Sequence, residues 1–232
     1  MIIVITGGSR GIGYAIAAQF ATPGNTLLLA AKNEKKLQEA VARLKENNED
    51  IIVHSYAADL SLQTAAENFA EWCLGFGVPD ILVNNSGIYL PGNVHDEPAG
   101  NMEAMMNTNF YSAYYITRKI VPAMSKAGQG HIFNICSIAS LQAYPGGGSY
   151  SVSKYALDGF TKNLREELKD KGIKVTAVYP GAVFTDSWKG FDNSENRIMI
   201  ADDIAQMIVA ASALSPSAVV EEIILRPQMG DL

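Results

Sequence analysis

Ser137, Tyr150 and Lys154 are the side chains of this sequence most able to do chemistry, in the stretches Cys136-Ser137 and Ser149-Tyr150-Ser151-Val152-Ser153-Lys154. Tyr150 and Lys154 are one helical turn apart, so on a helix they share a face. An ammonium beside a phenol makes the phenol a usable acid or base near neutral pH. A phenol pKa begins near ~10, and bringing it to about 7 takes roughly 4 kcal/mol. One positive charge about 4 Å away at moderate effective dielectric supplies that much. Ser137 would then hold the oxygen on which Tyr150 acts. Taken alone, Tyr-x-x-x-Lys also describes a surface helix with an ordinary tyrosine, so the elements that position the pair must decide.

The N-terminus is the first of these elements. Ile2-Ile3-Val4-Ile5 is a continuous apolar run suited to a strand buried on both faces. It leads into Thr6-Gly7-Gly8-Ser9-Arg10-Gly11-Ile12-Gly13 and then an alanine-rich helical stretch over 14–20. Glycines let the backbone turn sharply and approach a pyrophosphate, and the first amides of the following helix face the anion. The spacing Gly7, Gly11, Gly13 departs from G-x-G-x-x-G, so the generic dinucleotide fingerprint is not strictly met. Directly after an apolar strand, the turn still reads as a phosphate cradle rather than a plain tight turn.

With Asn84-Asn85-Ser86-Gly87, Asn109 and Pro180-Gly181 added, the chain resembles the short-chain dehydrogenase/reductase family over about residues 1–186, in order and spacing. Ser86 departs from the family's usual alanine but is nearly as small. The resemblance implies reversible hydride transfer between a nicotinamide and a carbonyl or secondary alcohol. It makes Tyr150 the general acid and base, with Lys154 lowering its pKa and holding the nicotinamide ribose, and makes Ser137 the group that orients the substrate oxygen. Asn109 would position a water in a proton relay to the lysine. Cofactor contacts carried over on the same basis are Gly7, Ser9, Arg10, Gly11, Ile12, Gly13, Lys32, Asp59, Leu60, Asn85 and Gly87. Pro180, Gly181, Val183 and Thr185 match the stretch that cradles the nicotinamide carboxamide. Within the family the chain is similar to 3-oxoacyl-carrier-protein reductases and small carbonyl reductases. It is expected to form a homo-oligomer, a dimer or a homotetramer, through its two long helices.

The expected cofactor is NADP rather than NAD. Strand two is followed by Ala31-Lys32-Asn33, with no carboxylate placed for the adenosine ribose hydroxyls, and Glu34 reads as first-turn helix decoration. Arg10 and Lys32 are two cations suited to a 2′-phosphate, although a lysine cannot clamp it bidentately. Asp59 fits two roles, contact with the adenine amino group or N-terminal capping before Ser61. Two other functions stand as alternatives: an NAD-linked alcohol dehydrogenase, and a non-enzymatic dinucleotide sensor on the same fold.

Composition narrows the field. The chain has 232 residues, enough for one full core, and a formal net charge of -6 with scattered cations, which disfavours nucleic acid as a partner. No apolar run reaches membrane-spanning length. The fold signal starts at Met1, so no leader is expected. Cys73 and Cys136 have no metal or redox spacing and read as reduced thiols, and the expected location is cytoplasmic. The substrate is expected to be a small carbonyl or alcohol.

Strand-like runs at 2–5, 26–30, 51–57, 80–84, 131–136, 174–179 and 219–225 alternate with helical stretches at 14–20, 34–46, 62–76, 101–127, 150–171 and 201–213. The pattern predicts an α/β fold, a doubly wound parallel sheet of about seven strands (Rossmann fold) with helices on both faces. One domain over 1–232 accounts for it, with a short substrate lid at 186–200 that holds Trp188 and Phe191. Phe69, Trp72 and Phe76 lie at helical spacing and read as core. The candidate groups all follow strands, where ligands bind in such sheets. Ser151-Val152-Ser153-Lys154 satisfies Ser-x-x-Lys, but the companion motifs of penicillin-recognising enzymes are missing. His54, His95 and His131 lack metal spacing, so no metal is expected. His131 reads as a structural or exposed histidine.

Overall fold

The structure, a computed structural model, describes residues 1–47, 50–188 and 190–230. Seven strands form one sheet: β1 (Ile2–Thr6), β2 (Thr26–Ala31), β3 (Ile52–Ala57), β4 (Ile81–Asn84), β5 (Gly130–Ile135), β6 (Ile173–Pro180) and β7 (Glu222–Leu225). Every pairing is parallel and the order is β3-β2-β1-β4-β5-β6-β7. The order reverses between β1 and β4, which opens a crevice beyond their carboxyl ends.

The helices that cover the sheet are α1 (Gly11–Phe20), α2 (Glu34–Asn47), α3 (Gln63–Leu74), α4 (Asn101–Met105), α5 (Ser112–Ala127), α6 (Gly148–Leu168) and α7 (Ala201–Ser212). The strands are apolar on both sides because both faces are covered. Ile3, Ile5, Leu27 and Leu29 join the core under α1, α2 and α7, while Val4, Leu28, Leu82 and Ile132 join the core under α3, α5 and α6. Asn33 caps α2 as its position suggests, accepting from the Lys36 N–H at 2.9 Å.

Three elements differ from the sequence-based expectation. The helix expected over 101–127 is broken by a π-helical turn, Met106–Tyr111, between α4 and α5. The last strand starts at Glu222 rather than 219. Thr176 Oγ1 donates to the Val220 carbonyl and Ala177 N–H to Glu221, so these residues are held to β6 before the ladder begins. The helix expected over 150–171 starts at Gly148 and tightens into a 3₁₀ turn, Lys169–Lys171, before Gly172 at φ +70°. Phe69 is fully buried and stacks on Trp72, but Phe76 lies at the edge against His54. His131 is buried rather than exposed, sharing a 2.7 Å hydrogen bond with Thr176, and burial pushes its pKa down to about 3.

Candidate active site

β1 and β4 are stitched together at the crevice. Thr6 Oγ1 accepts from the N–H groups of Asn85 and Ser86, both at 2.9 Å. The Asn85 side chain donates to the carbonyls of Thr6 at 2.9 Å and Gly7 at 3.3 Å. Asn85 therefore holds the glycine turn in shape. Gly7 has φ +67°, and a Cβ on Gly13 would lie 2.3 Å from the Gly7 carbonyl oxygen and 2.4 Å from Asn85 Nδ2. Only glycine fits there, because no side chain tolerates such contacts. The Arg10 residue before α1 makes no side-chain cap, so the helix start keeps its amides for another acceptor. A turn too tight for a Cβ, beside an uncapped helix start, fits a phosphate of a dinucleotide.

Opposite the turn stands a polar wall. Ser137 follows β5 and opens a 3₁₀ turn, Ile138–Ser140. Its Oγ accepts from the Ala139 N–H at 3.1 Å, and its own N–H donates to Ser140 Oγ at 3.2 Å. The Ser137 hydroxyl thus keeps its proton for a neighbour, and it acts on the Tyr150 phenol to lower its pKa. Ser140 Oγ donates to the Lys154 carbonyl at 2.9 Å, fixing this turn to α6. Lys154 is 4 % exposed, and its Nζ donates to the Ile135 carbonyl at 2.7 Å. Its Nζ lies 5.8 Å from the centre of the Tyr150 ring.

The expected acidification of Tyr150 by Lys154 is corrected here. Burial pushes the phenol above its ordinary value, and the Ser137 hydrogen bond only partly offsets it. The same burial drives Lys154 down to about 8. Desolvation is the largest influence on both groups.

The π-helical turn supplies Asn109, which is buried. Asn109 Oδ1 accepts from the Ile88 N–H at 2.7 Å, and its Nδ2 donates to the Ile88 carbonyl at 3.0 Å and to Ser153 Oγ at 2.9 Å. Ser153 Oγ in turn donates to the Tyr150 carbonyl at 2.7 Å. A Cβ on Gly87 would touch Asn109 Oδ1 at 3.4 Å and Lys154 Nζ at 3.6 Å, so Gly87 borders both. The extra residue of a π turn is what points Asn109 at this backbone.

The loop after β4 is fastened to the first turn of α6. Ser149 N–H donates to Glu97 Oε2 at 3.3 Å, and Ser149 Oγ donates to Glu97 Oε1. A carboxylate at a helix start is favourable. Tyr89, on the same loop, sets its ring edge-on to Tyr150 at 5.0 Å. Tyr144 lines a cavity of about 330 Å³ with Asn93, His95, Gly146, Gly148 and Ser151.

The remaining candidates border the crevice or its rim. Leu60 is buried and Val183 is buried, pairing as an isolated bridge with Met199. Pro180 ends β6, and the Gly181 N–H donates to Leu225 at 2.8 Å. Thr185 lies over the glycine turn, where a Cβ on Gly11 would meet its Cγ2 at 3.2 Å. A cavity of about 440 Å³ is lined by Gly11, Phe184, Thr185, Asp186, Trp188 and Gly190. In the lid expected over 186–200, Asp186–Trp188 form a 3₁₀ turn and Trp188 packs edge-on against Phe191 at 5.3 Å. Lys189 lies outside the described residues.

The two expected phosphate-binding cations each pair with a carboxylate from another segment. Lys32 Nζ pairs with Asp59 Oδ2 at 2.7 Å, and Arg10 Nη1 pairs with Asp186 Oδ2. Asp59 also accepts from the Ser61 N–H at 3.2 Å and Ser61 Oγ at 2.7 Å. Burial works against its charge, but the hydrogen bonds from Lys32 and Ser61 outweigh that and hold the carboxyl below its usual range. It is a local turn former, and α3 starts only at Gln63.

Sequence reasoning missed Ser140, Ser153, Glu97 and Tyr89. Ser137-x-x-Ser140 is a visible capping spacing. Ser153 sits inside the Ser-x-x-Lys stretch and was passed over with it. Glu97 reaches Ser149 across 52 positions, and no local signal announces that contact. Among the described residues, no cluster of three or more His, Cys, Asp or Glu could hold a metal ion, and no helix is long and apolar enough to cross a membrane.

The sequence profile of the short chain dehydrogenases matches residues 1–196. This chain belongs to that family and is an oxidoreductase of it. It is similar to a sepiapterin reductase of Chlorobaculum tepidum, 31 % identical over 240 aligned positions, covering 100 % of this chain and 98 % of the relative. Its fold is similar to a metagenomic short-chain oxidoreductase in complex with NADP, at TM-score 0.85 and 30 % identity over 98 % of this chain and 97 % of the other. L-sorbose reductase from Gluconobacter frateurii, complexed with NADPH and L-sorbose, superposes at TM-score 0.88 with 26 % identity over 98 % and 95 % of the two chains.

Proposed function

We propose that this chain is an NADPH-dependent reductase of a small carbonyl substrate, acting in reverse on the secondary alcohol. The observation that carries the reading is the buried Lys154, its Nζ 5.8 Å from the centre of the Tyr150 ring, on the wall that also holds Ser137. The NADP and NADPH complexes of similar proteins support the cofactor. When bound, the dinucleotide supplies the hydride. The glycine turn, Ser9, Ile12 and Asn85 would hold its pyrophosphate end, and Pro180, Gly181, Val183 and Thr185 its nicotinamide end. Arg10, Lys32, Asp59 and Leu60 would meet the adenosine, and Gly87 and Lys154 the nicotinamide ribose.

Every proton step falls to the chain's own groups. The phenol of Tyr150 is raised above its ordinary value by burial, so it is protonated at neutral pH. It is therefore ready to donate to the oxygen that gains charge in a reduction. Ser137 donates to the same oxygen and steadies it. As Tyr150 loses its proton, the Lys154 ammonium stabilises the phenolate. Asn109 and Lys154 both border Gly87, the place for a water that restores the proton. The resting protonation favours reduction, since oxidation needs the phenolate.

The test is a panel of small carbonyls assayed with NADPH, comparing the native chain with Tyr150→Phe. Turnover should fall about 10²–10⁴-fold in the variant, with NADPH affinity within twofold of native. Persisting turnover would sink the assignment of the acid. A second reading, an NAD-linked alcohol dehydrogenase, is favoured by the carboxylates on Arg10 and Lys32. The assembly is a cytoplasmic homo-oligomer whose contact face includes the exposed Tyr111 of the π turn and Val152 and Tyr155 of α6.

A further inference from the structure

We infer that Glu97 is a positioning residue for Tyr150, a cap that reaches the start of α6 from the loop after β4 and holds the phenol where it acts. This rests on the reductase reading proposed above. Tyr150 is the third residue of α6, so it lies in the turn that frays most readily. Helical hydrogen bonding begins one residue later, with the Ser151 N–H on the Gly147 carbonyl at 3.0 Å. A cap is ordinarily supplied by the residue just before the helix. Gly147 stands there and has no side chain to offer. Nor has a side chain room, since a Cβ on Gly147 would lie 2.7 Å from Ser151 Oγ and 3.0 Å from the Tyr144 carbonyl oxygen. Glu97, 52 positions from Ser149, takes the role by accepting from both the Ser149 N–H and the Ser149 hydroxyl.

The loop that carries Glu97 is anchored along its length. Asn109 holds its start at Ile88. Gly92 N–H donates to the Gly146 carbonyl at 3.2 Å, and Gly146 N–H donates to Asn93 Oδ1 at 3.1 Å. Glu97 N–H donates to the Asn93 carbonyl at 2.9 Å, closing the turn that bears the carboxylate. Gly148 has φ +37°, and a Cβ there would lie 2.3 Å from the Gly92 carbonyl oxygen and 3.0 Å from Glu97 Oε2. Glycine at 148 is what lets loop and helix close this far. Between its anchors the loop carries Tyr89, whose ring meets Tyr150 edge-on at 5.0 Å. Further along α6, Lys154 is held independently, by the Ile135 carbonyl and by Ser140. Loss of Glu97 therefore loosens Tyr150 and spares Lys154 and the cofactor contacts. Both carboxylate oxygens are on Ser149, so Glu97 acts through where Tyr150 sits and not on the reacting oxygen.

The experiment compares the native chain with Glu97→Ala and Glu97→Gln in three readouts: carbonyl reduction by NADPH, the NADPH dissociation constant, and amide hydrogen exchange along α6. Glutamine keeps an acceptor for the Ser149 N–H and can donate to its hydroxyl, so it is the conservative rescue. Glu97→Ala should lower kcat about 10-fold to 100-fold, as for a reacting group displaced by about an ångström, with the NADPH dissociation constant within about twofold of native. Glu97→Gln should regain most of that loss. Exchange should quicken over 147–151 in Glu97→Ala and stay native over 152–168. A native kcat in Glu97→Ala overturns the inference, as does glutamine that performs no better than alanine. So does a fall in NADPH affinity that matches the fall in kcat, or exchange that quickens along all of α6, since either marks a general loss of structure. A native chain that reduces no carbonyl, with exchange at 147–151 still quickened by Glu97→Ala, sinks the reductase reading and leaves the cap standing.

Discussion

The wall of Asn109, Ser137, Tyr150 and Lys154 and the rim of Arg10, Lys32, Asp59 and Asp186 use charge under opposite conditions. Lys154 is 4 % exposed and Lys32 has a side chain 77 % exposed. In the wall, three of the four polar groups have fixed partners: Ile135 for Lys154, Ile88 and Ser153 for Asn109, Ser140 and Ala139 for Ser137. Burial there is strong enough to move both Tyr150 and Lys154 away from their charged forms. In the rim, charges meet in water and their pairs are worth little. The difference teaches that burial fixes the wall, where the proposed chemistry would take place, while the rim is left to contacts that one substitution can change.

The largest expected effect breaks the wall. Lys154→Met should lower reductive turnover about 10²–10⁴-fold, because the phenolate loses its cation. Its stability should move the other way. The folded ammonium has a pKa of about 8, below the ordinary 10.5, so at pH 7 the folded state holds a charge that burial disfavours. Removing it relieves up to about 3 kcal/mol, less about 1–3 kcal/mol for the Ile135 carbonyl left without its donor. Urea unfolding at pH 7 should therefore find the variant no less stable than the native chain. Between pH 8 and 10.5 the unfolded state binds more protons at this lysine, so the native chain gains stability there and the variant's advantage shrinks. Native kcat/KM for reduction should also fall as pH rises through about 8, where the ammonium deprotonates. A variant clearly destabilised at pH 7, or a flat pH profile to pH 9, would show that Lys154 is not a strained buried charge.

Next in size is the cradle between the two regions. Gly13→Ala puts a Cβ 2.3 Å from a backbone carbonyl oxygen, which no rotamer can relieve. Overpacking of this kind costs about 1–3 kcal/mol, or a melting temperature lower by about 2–12 °C in a chain of this size. Because the displaced groups are the Gly7 carbonyl and Asn85, dinucleotide affinity should fall at least about tenfold for NADP+ and NAD+ alike. A loss confined to NADP+ would mean that the turn reads the 2′-phosphate rather than the pyrophosphate. An unchanged melting temperature and affinity would show that β1 and β4 are free to part at their ends.

Much of this was legible in the residues alone, for identifiable reasons. Runs such as Ile2-Ile3-Val4-Ile5 are apolar on both sides only where both faces are covered, and they announced the parallel sheet. The spacing of Tyr150 and Lys154 survives into the structure because α6 runs unbroken through both. The π turn at Met106–Tyr111 was not legible, since one inserted residue leaves helical periodicity almost intact. Glu97 on Ser149, Asp59 on Lys32 and Asp186 on Arg10 join segments that only the folded chain brings together. The direction of the Tyr150 shift was misread for a physical reason. Spacing identifies the neighbouring charge, whereas desolvation depends on everything packed around the pair.

The smallest expected effect sharpens the rim. If exposed charges carry the choice of dinucleotide, salt must erode it. The Debye length falls from about 10 Å at 0.1 M to about 3 Å at 1 M salt. Arg10, Lys32, Asp59 and Asp186 would then act on the 2′-phosphate through water, so raising sodium chloride over that range should bring the NADP+ and NAD+ dissociation constants closer by a few-fold. The buried wall is shielded from that change, so kcat at saturating cofactor should stay within about twofold over the same range, since buried charges are screened far less. Calorimetric titrations of both dinucleotides, run beside a saturated turnover assay, separate the two responses. A salt-sensitive kcat with a constant affinity ratio would reverse the contrast between wall and rim: the exposed pairs would then be ornament, and the choice of dinucleotide would lie in packing around the ribose rather than in charge.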